Sequence, residues 1–233
     1  GESSSSSSTL DLTIDTIAPA FTSAEFATAI DENSGAGQVI YIAQTTDASG
    51  VTYSLKANDN HEAESIEINS QTGEILLSDN PDHEAQASYT LTVTATDHAG
   101  NTSEKSLTLS INNINDNPNN LLLSSTSFNE NIAAGSAVAS LSSIDPDSGD
   151  SHTYALVAGD GDTDNNLFVV DGDQLKIVGS PDFETKSSYS IRRQTKDSGG
   201  LSLEKAFTLN VNGINETPSA LTASELEFDE NIA

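Results

Sequence analysis

Cysteine is absent from these 233 residues, so no disulfide cross-links the chain and no thiol is available for catalysis or metal binding. Tryptophan is also absent and aromatic residues make up only 5%, which argues against a stacking platform for sugars. Methionine is missing even at position 1, as expected for an internal piece of a longer protein. Cations are scarce: 8 Lys and Arg stand against 36 Asp and Glu, for a net charge of −28. The cations are Lys56, Lys105, Lys176, Lys186, Arg192, Arg193, Lys196 and Lys205, and no cluster of them adjoins an aromatic ladder. Such a chain repels phosphate backbones, and nucleic acid is excluded as a partner. No apolar run approaches the roughly 20 residues of a membrane-crossing helix. This fragment therefore has no transmembrane segment, and it shows no signal peptide.

Catalytic patterns are missing as well. His61, His83, His98 and His152 are scattered, with no His-Glu-x-x-His spacing, and no Gly-x-Ser-x-Gly elbow occurs. Asp82 and Glu84 imitate a glycosidase carboxylate pair, but the pair recurs at Asp182 and Glu184, and catalytic sites are rarely copied once per module. Asp160, Asp162 and Asp164 with Asp171 at the twelfth position imitate an EF-hand loop. Asn165 occupies the sixth position, where that loop needs glycine, and no helices flank it, so the segment reads as an acidic hairpin. The chain is not read as an enzyme.

What the chain does contain is an echo at 100 residues. Asp47 pairs with Asp147, Asp82 with Asp182, Glu84 with Glu184, Asp97 with Asp197, Asn115 with Asn215 and Pro118 with Pro218. Self-similarity at a fixed period means tandem copies of one structural unit. The retained residues are mostly oxygen donors, the ligand type of a hard cation such as calcium. Between them run short strand signals. Tyr89, Leu91, Val93 and Ala95 alternate strictly with polar residues, as in a half-buried strand. Ile66–Ile68 and Ile75–Leu77 flank a glycine turn at Gly73, and Phe168–Val170 and Leu175–Ile177 flank Asp171-Gly172. Roughly seven short strands per ~100 residues, with no helical period, indicate an all-β sandwich. Arg193 falls where Val93 predicts a core residue. Either the second unit shifts register there or the arginine reaches a carboxylate.

The ordered motifs resemble a cadherin repeat. The first copy has Glu32-Asn33, Tyr53-Ser54-Leu55, Gln71-Thr72-Gly73-Glu74-Ile75, Asp82-His83-Glu84, Thr96-Asp97 and Asn113-Ile114-Asn115-Asp116-Asn117-Pro118. The second has Glu130-Asn131, Asp145-Pro146-Asp147, Asp182-Phe183-Glu184, Asp197 and Asn215-Glu216-Thr217-Pro218. The divergent linkers and Asp197-Ser198-Gly199-Gly200 are most similar to cadherin-like repeats of large bacterial surface adhesins of the RTX type. The resemblance implies two tandem Greek-key, seven-stranded β-sandwiches of cadherin or immunoglobulin-like type, arranged end to end. It predicts repeats at 19–117 and 118–217. Residues 1–18 are expected to be a flexible linker plus the last strand of a truncated preceding repeat, and 218–233 the start of a following one.

The resemblance further implies Ca2+ at the junction between repeats. Glu32, Asp82 and Glu84 would come from the base of the first repeat. Asn113, Asn115, Asp116 and Asn117 would come from the linker, and Asp145, Asp147 and Asp197 from the top of the second. Seven of these are carboxylates, which suits two to three ions. Asn113 stands where the family usually has aspartate. The outer half-sites would use Asp47 and Asp97, with Thr45 replacing the first acid of the pair, and Glu130, Asp182, Glu184, Asn215 and Glu216. The implied function is a Ca2+-stiffened extender in an extracellular, cell-surface adhesin. The partners would be neighbouring repeats of the same chain. The alternative is that the repeats themselves make Ca2+-dependent homophilic or glycan contacts.

Overall fold

The computed structural model describes residues 14–48, 50–56 and 65–217. It divides into two compact units, between Ile114 and Asn115. Of the candidate strand at 9–18, residues 9–13 lie outside the described residues, as do His61 and the segment from Pro218 onward. Residues 14–19 carry no strand.

The first unit is built from β1 (Ala20–Phe21), β2 (Ile30–Asp31), β3 (Gln38–Ile42), β4 (Thr45–Thr46), β5 (Val51–Leu55), β6 (Ile66–Ile68), β7 (Glu74–Leu77), β8 (Ser88–Asp97) and β9 (Thr102–Asn112). One sheet runs β2-β9-β8-β5, with β2 parallel to β9, and the other runs β3-β7-β6. A short β1–β4 pair completes the set. β8 buries Tyr89, Leu91, Val93 and Ala95 as its alternation requires, and the first three share a core cluster with Ile40, Ile75, Leu77 and Leu109 from the neighbouring strands. Alternation fails in one place. Ile40 and Tyr41 are both buried because the β3–β7 register shifts between Val39 and Tyr41, a bulge that turns two successive side chains inward.

The second unit repeats the design. Its strands are β10 (Asn120–Leu123), β11 (Ser127–Asn129), β12 (Ala137–Ile144), β13 (Thr153–Leu156), β14 (Phe168–Asp171), β15 (Gln174–Ile177), β16 (Ser188–Lys196) and β17 (Ser202–Asn212). They form sheets β11-β17-β16-β13 and β10-β12-β15-β14, with β11 parallel to β17. β12 is unbroken where the first unit has β3 and β4, and it carries the same bulge, between Ala137 and Ala139. Counting β1 with β2 and β3 with β4 in the first unit, and β10 with β11 in the second, as split strands gives seven per unit. Both units are therefore Greek-key β-sandwiches. Phe128, Phe168 and Tyr189 pack face and edge in the core, with centroids 5.4 to 6.4 Å apart.

Arg193 resolves differently from either expectation. Register is kept: Arg193 pairs with Lys205 as Val93 pairs with Lys105. Among the described residues no carboxylate reaches it. The side chain is fully buried between the rings of Tyr154 and Phe207. Its accommodation comes from residues on two other strands, β13 and β17, which a single-strand pattern does not display.

Candidate metal centres

Each sandwich gathers its acids at the ends of its strands. At one end of the first unit Glu32 follows β2, Asp82 and Glu84 lie between β7 and β8, and Asn113 follows β9. Glu32-Asn33 turns sharply, with Asn33 in the left-handed region at φ 57°. That turn aims the buried Glu32 carboxylate at two backbone amides, His83 N at 2.8 Å and Ile114 N at 2.6 Å. Burial alone would raise the Glu32 pKa, but the amides of Ile114 and His83 outweigh it and hold the group below the usual range. Asp82 accepts from Ala85 N at 2.9 Å, fixing the turn that carries Glu84. Asn113 Nδ2 donates to Glu84 Oε1 at 3.0 Å.

The equivalent end of the second unit repeats this arrangement. Glu130 accepts from Phe183 N at 2.8 Å and Ile214 N at 2.5 Å, again beside a left-handed asparagine, Asn131 at φ 61°. These two amides hold Glu130 below the usual glutamate range. Glu130, Asp182 and Glu184 each offer an oxygen within 4.8 Å of the others. Glu184 shows the strain of that crowding. Its own backbone amide lowers its pKa, yet burial and the charges of Glu130, Glu216 and Asp182 outweigh it, and the net shift is upward. Glu216 accepts from Asn131 Nδ2 at 2.5 Å, while Asn215 is exposed.

The opposite ends hold a second kind of cluster. In the first unit Asp15, Asp47 and Asp97 have oxygens within 4.8 Å of one another. Asn101 donates to Asp97 through its backbone and its side chain, each at 2.8 Å. Thr45, in the place of an acid, spends its hydroxyl on Tyr53 at 2.9 Å. In the second unit Asp145, Asp150 and Asp197 converge within the same distance. Asn115 Nδ2 donates to Asp197 at 3.0 Å, and Asp116 N donates to Asp147 at 2.7 Å. Asp145 Oδ2 lies 2.9 Å from His152 Nε2. Asn117 is exposed.

Two members of these clusters escaped the sequence reading. Asp15 sits 100 residues before Asn115, so the echo contained it. Asp150 corresponds to Gly50, so no repetition marked it. The EF-hand-like run is put to structural use: Asp164 is held by Lys186 Nζ at 2.6 Å and Ser190 N at 2.8 Å. The donor chemistry of the end clusters fits a hard cation. They consist of carboxylate oxygens, with like charges packed closely enough to raise Glu184.

Two seven-stranded sandwiches in tandem, each with oxygen-rich ends, have the architecture of solved cadherin-domain structures. Residues 26–112, most of the first unit, match the cadherin domain family. The chain is 31% identical to human protocadherin gamma-A1 over 208 residues, covering 85% of this chain and 22% of that protein. It is 32% identical to human protocadherin Fat 4 over 193 residues, covering 80% of this chain and 4% of that one. The chain thus spans about a fifth of protocadherin gamma-A1. Among solved structures, extracellular cadherin domains 1–5 of protocadherin gamma B2 give a TM-score of 0.63 at 25% identity, covering 84% of this chain and 39% of that one. Human protocadherin-24 EC1-2 gives 0.65 at 20% identity, covering 85% of this chain and all of that one, a likeness of fold. These relatives are animal protocadherins, so the bacterial adhesin type expected from the linkers finds no support in them.

Proposed function

We propose that the chain is a pair of Ca2+-binding cadherin repeats from an extracellular adhesion protein, acting as a stiffened spacer. The observation that carries this reading is the recurrence of oxygen-donor clusters at the strand ends of both units. In the proposed assignment Glu32, Asp82, Glu84 and Asn113 of the first unit share two to three ions with Asn115, Asp116, Asn117, Asp145, Asp147 and Asp197 of the second. Asp150, which converges with Asp145 and Asp197, joins them. The outer sets are Asp15, Asp47 and Asp97, and Glu130, Asp182, Glu184, Asn215 and Glu216. Calcium supplies positive charge that reverses the repulsion among these acids and links groups otherwise free to separate.

The chain's own residues prepare this binding. The amides of His83 and Ile114 hold Glu32 ionised in a buried place, and those of Phe183 and Ile214 do the same for Glu130. The carboxylates are thus ligands in waiting at neutral pH. Extracellular calcium modules bind at roughly 10⁻⁴–10⁻³ M, so stiffening would follow calcium outside the cell.

A calcium titration read by thermal melting and X-ray scattering tests the proposal, with Asp116→Ala alongside. Saturating calcium is expected to raise stability by about 2.7 kcal/mol per site at a hundredfold excess over Kd. It is also expected to narrow the distribution of interatomic distances, and D116A should need more calcium for both effects. Identical melting and scattering in calcium and chelator would sink the reading.

A further inference from the structure

Arg193 sits in the core of the second unit with 0% of its surface exposed, and neither its Nε nor its two terminal nitrogens meets an acceptor. Its guanidinium carbon lies 5.8 Å from the centroid of the Tyr154 ring and 5.4 Å from that of Phe207. Ring faces attract the cation through their quadrupole, but they accept none of its five N–H groups, which lie in the guanidinium plane. Burial pushes the Arg193 pKa down to about 10, with Tyr154 opposing the fall. The group is still protonated at neutral pH. A buried cation without a counter-charge is among the costliest features a core can hold.

The polar groups nearby are hydroxyls, which donate as well as accept, and none of them bonds to the guanidinium. Thr195, two residues along on the same buried face of β16, has its hydroxyl 2.7 Å from Ser143 Oγ. Ser143 donates to the Tyr154 hydroxyl at 3.4 Å. Three hydroxyls carry three protons, and these two contacts use two of them, so the Tyr154 O–H remains available to donate. The first unit offers a built-in comparison. There the equivalents of Arg193 and Phe207 are Val93 and Leu107, both buried and apolar.

We propose that the second unit holds a small monovalent anion of the halide class against the Arg193 guanidinium, with the Tyr154 hydroxyl as a further donor. Such an anion supplies the acceptor that five N–H groups lack and cancels the buried charge. Tyr154 also lines a cavity of about 400 Å³ with His152, Thr153, Val170, Gly172 and Asp173. The first unit has valine and leucine at these positions, and among its described residues no buried cation stands in their place.

Chloride is the probe. The full chain is melted in sodium chloride and in sodium gluconate at equal sodium, with calcium gluconate fixed throughout. As chloride rises from about 10 to about 300 mM, the midpoint of the second unit is expected to rise by roughly 3 °C or more over gluconate. Arg193→Met should abolish that difference, whatever it does to absolute stability. Chlorine NMR lines should broaden with the native chain and sharpen with R193M. Tyr154→Phe, which keeps the ring over the guanidinium, should shrink the chloride response without removing it, and it serves as the test variant if R193M fails to fold. Equal midpoints in the two salts overturn the proposal. So does a chloride response that survives in R193M, or one left at full size in Y154F. Bromide-soaked crystals with no anomalous peak beside Arg193 would assign the space to water and also overturn it.

Discussion

Glutamates 130 and 184 lie in one cluster, yet their surroundings push them in opposite directions. The amides of Ile214 and Phe183 lower Glu130, so its contribution to stability is present above the ordinary glutamate pKa and is lost as pH falls through its folded value. Glu184 is the reverse. Its own amide lowers it, but burial and the charges of Glu130, Glu216 and Asp182 raise it overall. Its favourable contribution is therefore present below the ordinary pKa and disappears as pH rises through its folded value. Glu184→Gln removes a like charge while keeping a carbonyl acceptor. In chelator at pH 7 this variant is expected to melt higher than the native chain, and at about pH 4 the two should converge. With calcium the order should invert, because a ligand has gone. Melting curves at two pH values with and without calcium check all three statements, and a variant less stable in chelator at pH 7 would contradict them. The acids were legible in the sequence because they repeat. Asp150 was not, since Gly50 stands at its counterpart, and neither was the resting place of Arg193, which depends on Tyr154 and Phe207 from two other strands.

Strand placement followed from alternation and turn residues, and the hairpin glycines were visible as Gly73 and Gly172. Their different burdens were not. Both have positive φ, 72° and 60°. A Cβ on Gly73 would lie 2.3 Å from the Ala43 carbonyl oxygen, whereas one on Gly172 meets nothing within 4 Å. The reason is long-range: Ala43 N donates to the Gly73 carbonyl at 2.8 Å, drawing the turn against the segment between β3 and β4. Gly172→Ala should therefore cost only the left-handed penalty, about 1–2 kcal/mol. Gly73→Ala adds a backbone clash and should cost clearly more, about 3 kcal/mol or above. Denaturant unfolding of the two variants measures the difference, and equal losses would contradict the close approach. Bulges were hidden for the same reason. Ile40-Tyr41 and Val138-Ala139 read as breaks in period two until pairing with β7 and β15 shows both members turned inward.

At the scale of the whole chain the dominant fact is charge. A net −28 over 233 residues makes every compact state work against its own field. Eight cations cannot neutralise it locally, and several are already committed: Lys56 to Glu104, Lys176 to Asp171, Lys186 to Asp164 and Arg192 to Glu204. These partly exposed pairs contribute little each. Relief must come from solution, either as diffuse screening or as bound divalent ions. The two sources compete for the same repulsion, and that competition can be measured. In chelator, raising sodium gluconate from about 20 to about 500 mM shrinks the Debye length from above 20 Å to under 5 Å. The melting temperature should rise accordingly. Gluconate keeps this measurement separate from any effect of chloride at Arg193. With saturating calcium the same salt step should give a smaller rise, because each bound ion has already cancelled two charges where the acids are densest. A salt step of equal size with and without calcium would mean that calcium, if bound, sits away from the crowded carboxylates. No salt dependence in chelator would mean that the acids are spaced widely enough for water alone to screen them, which the close approach of Glu130, Asp182 and Glu184 argues against.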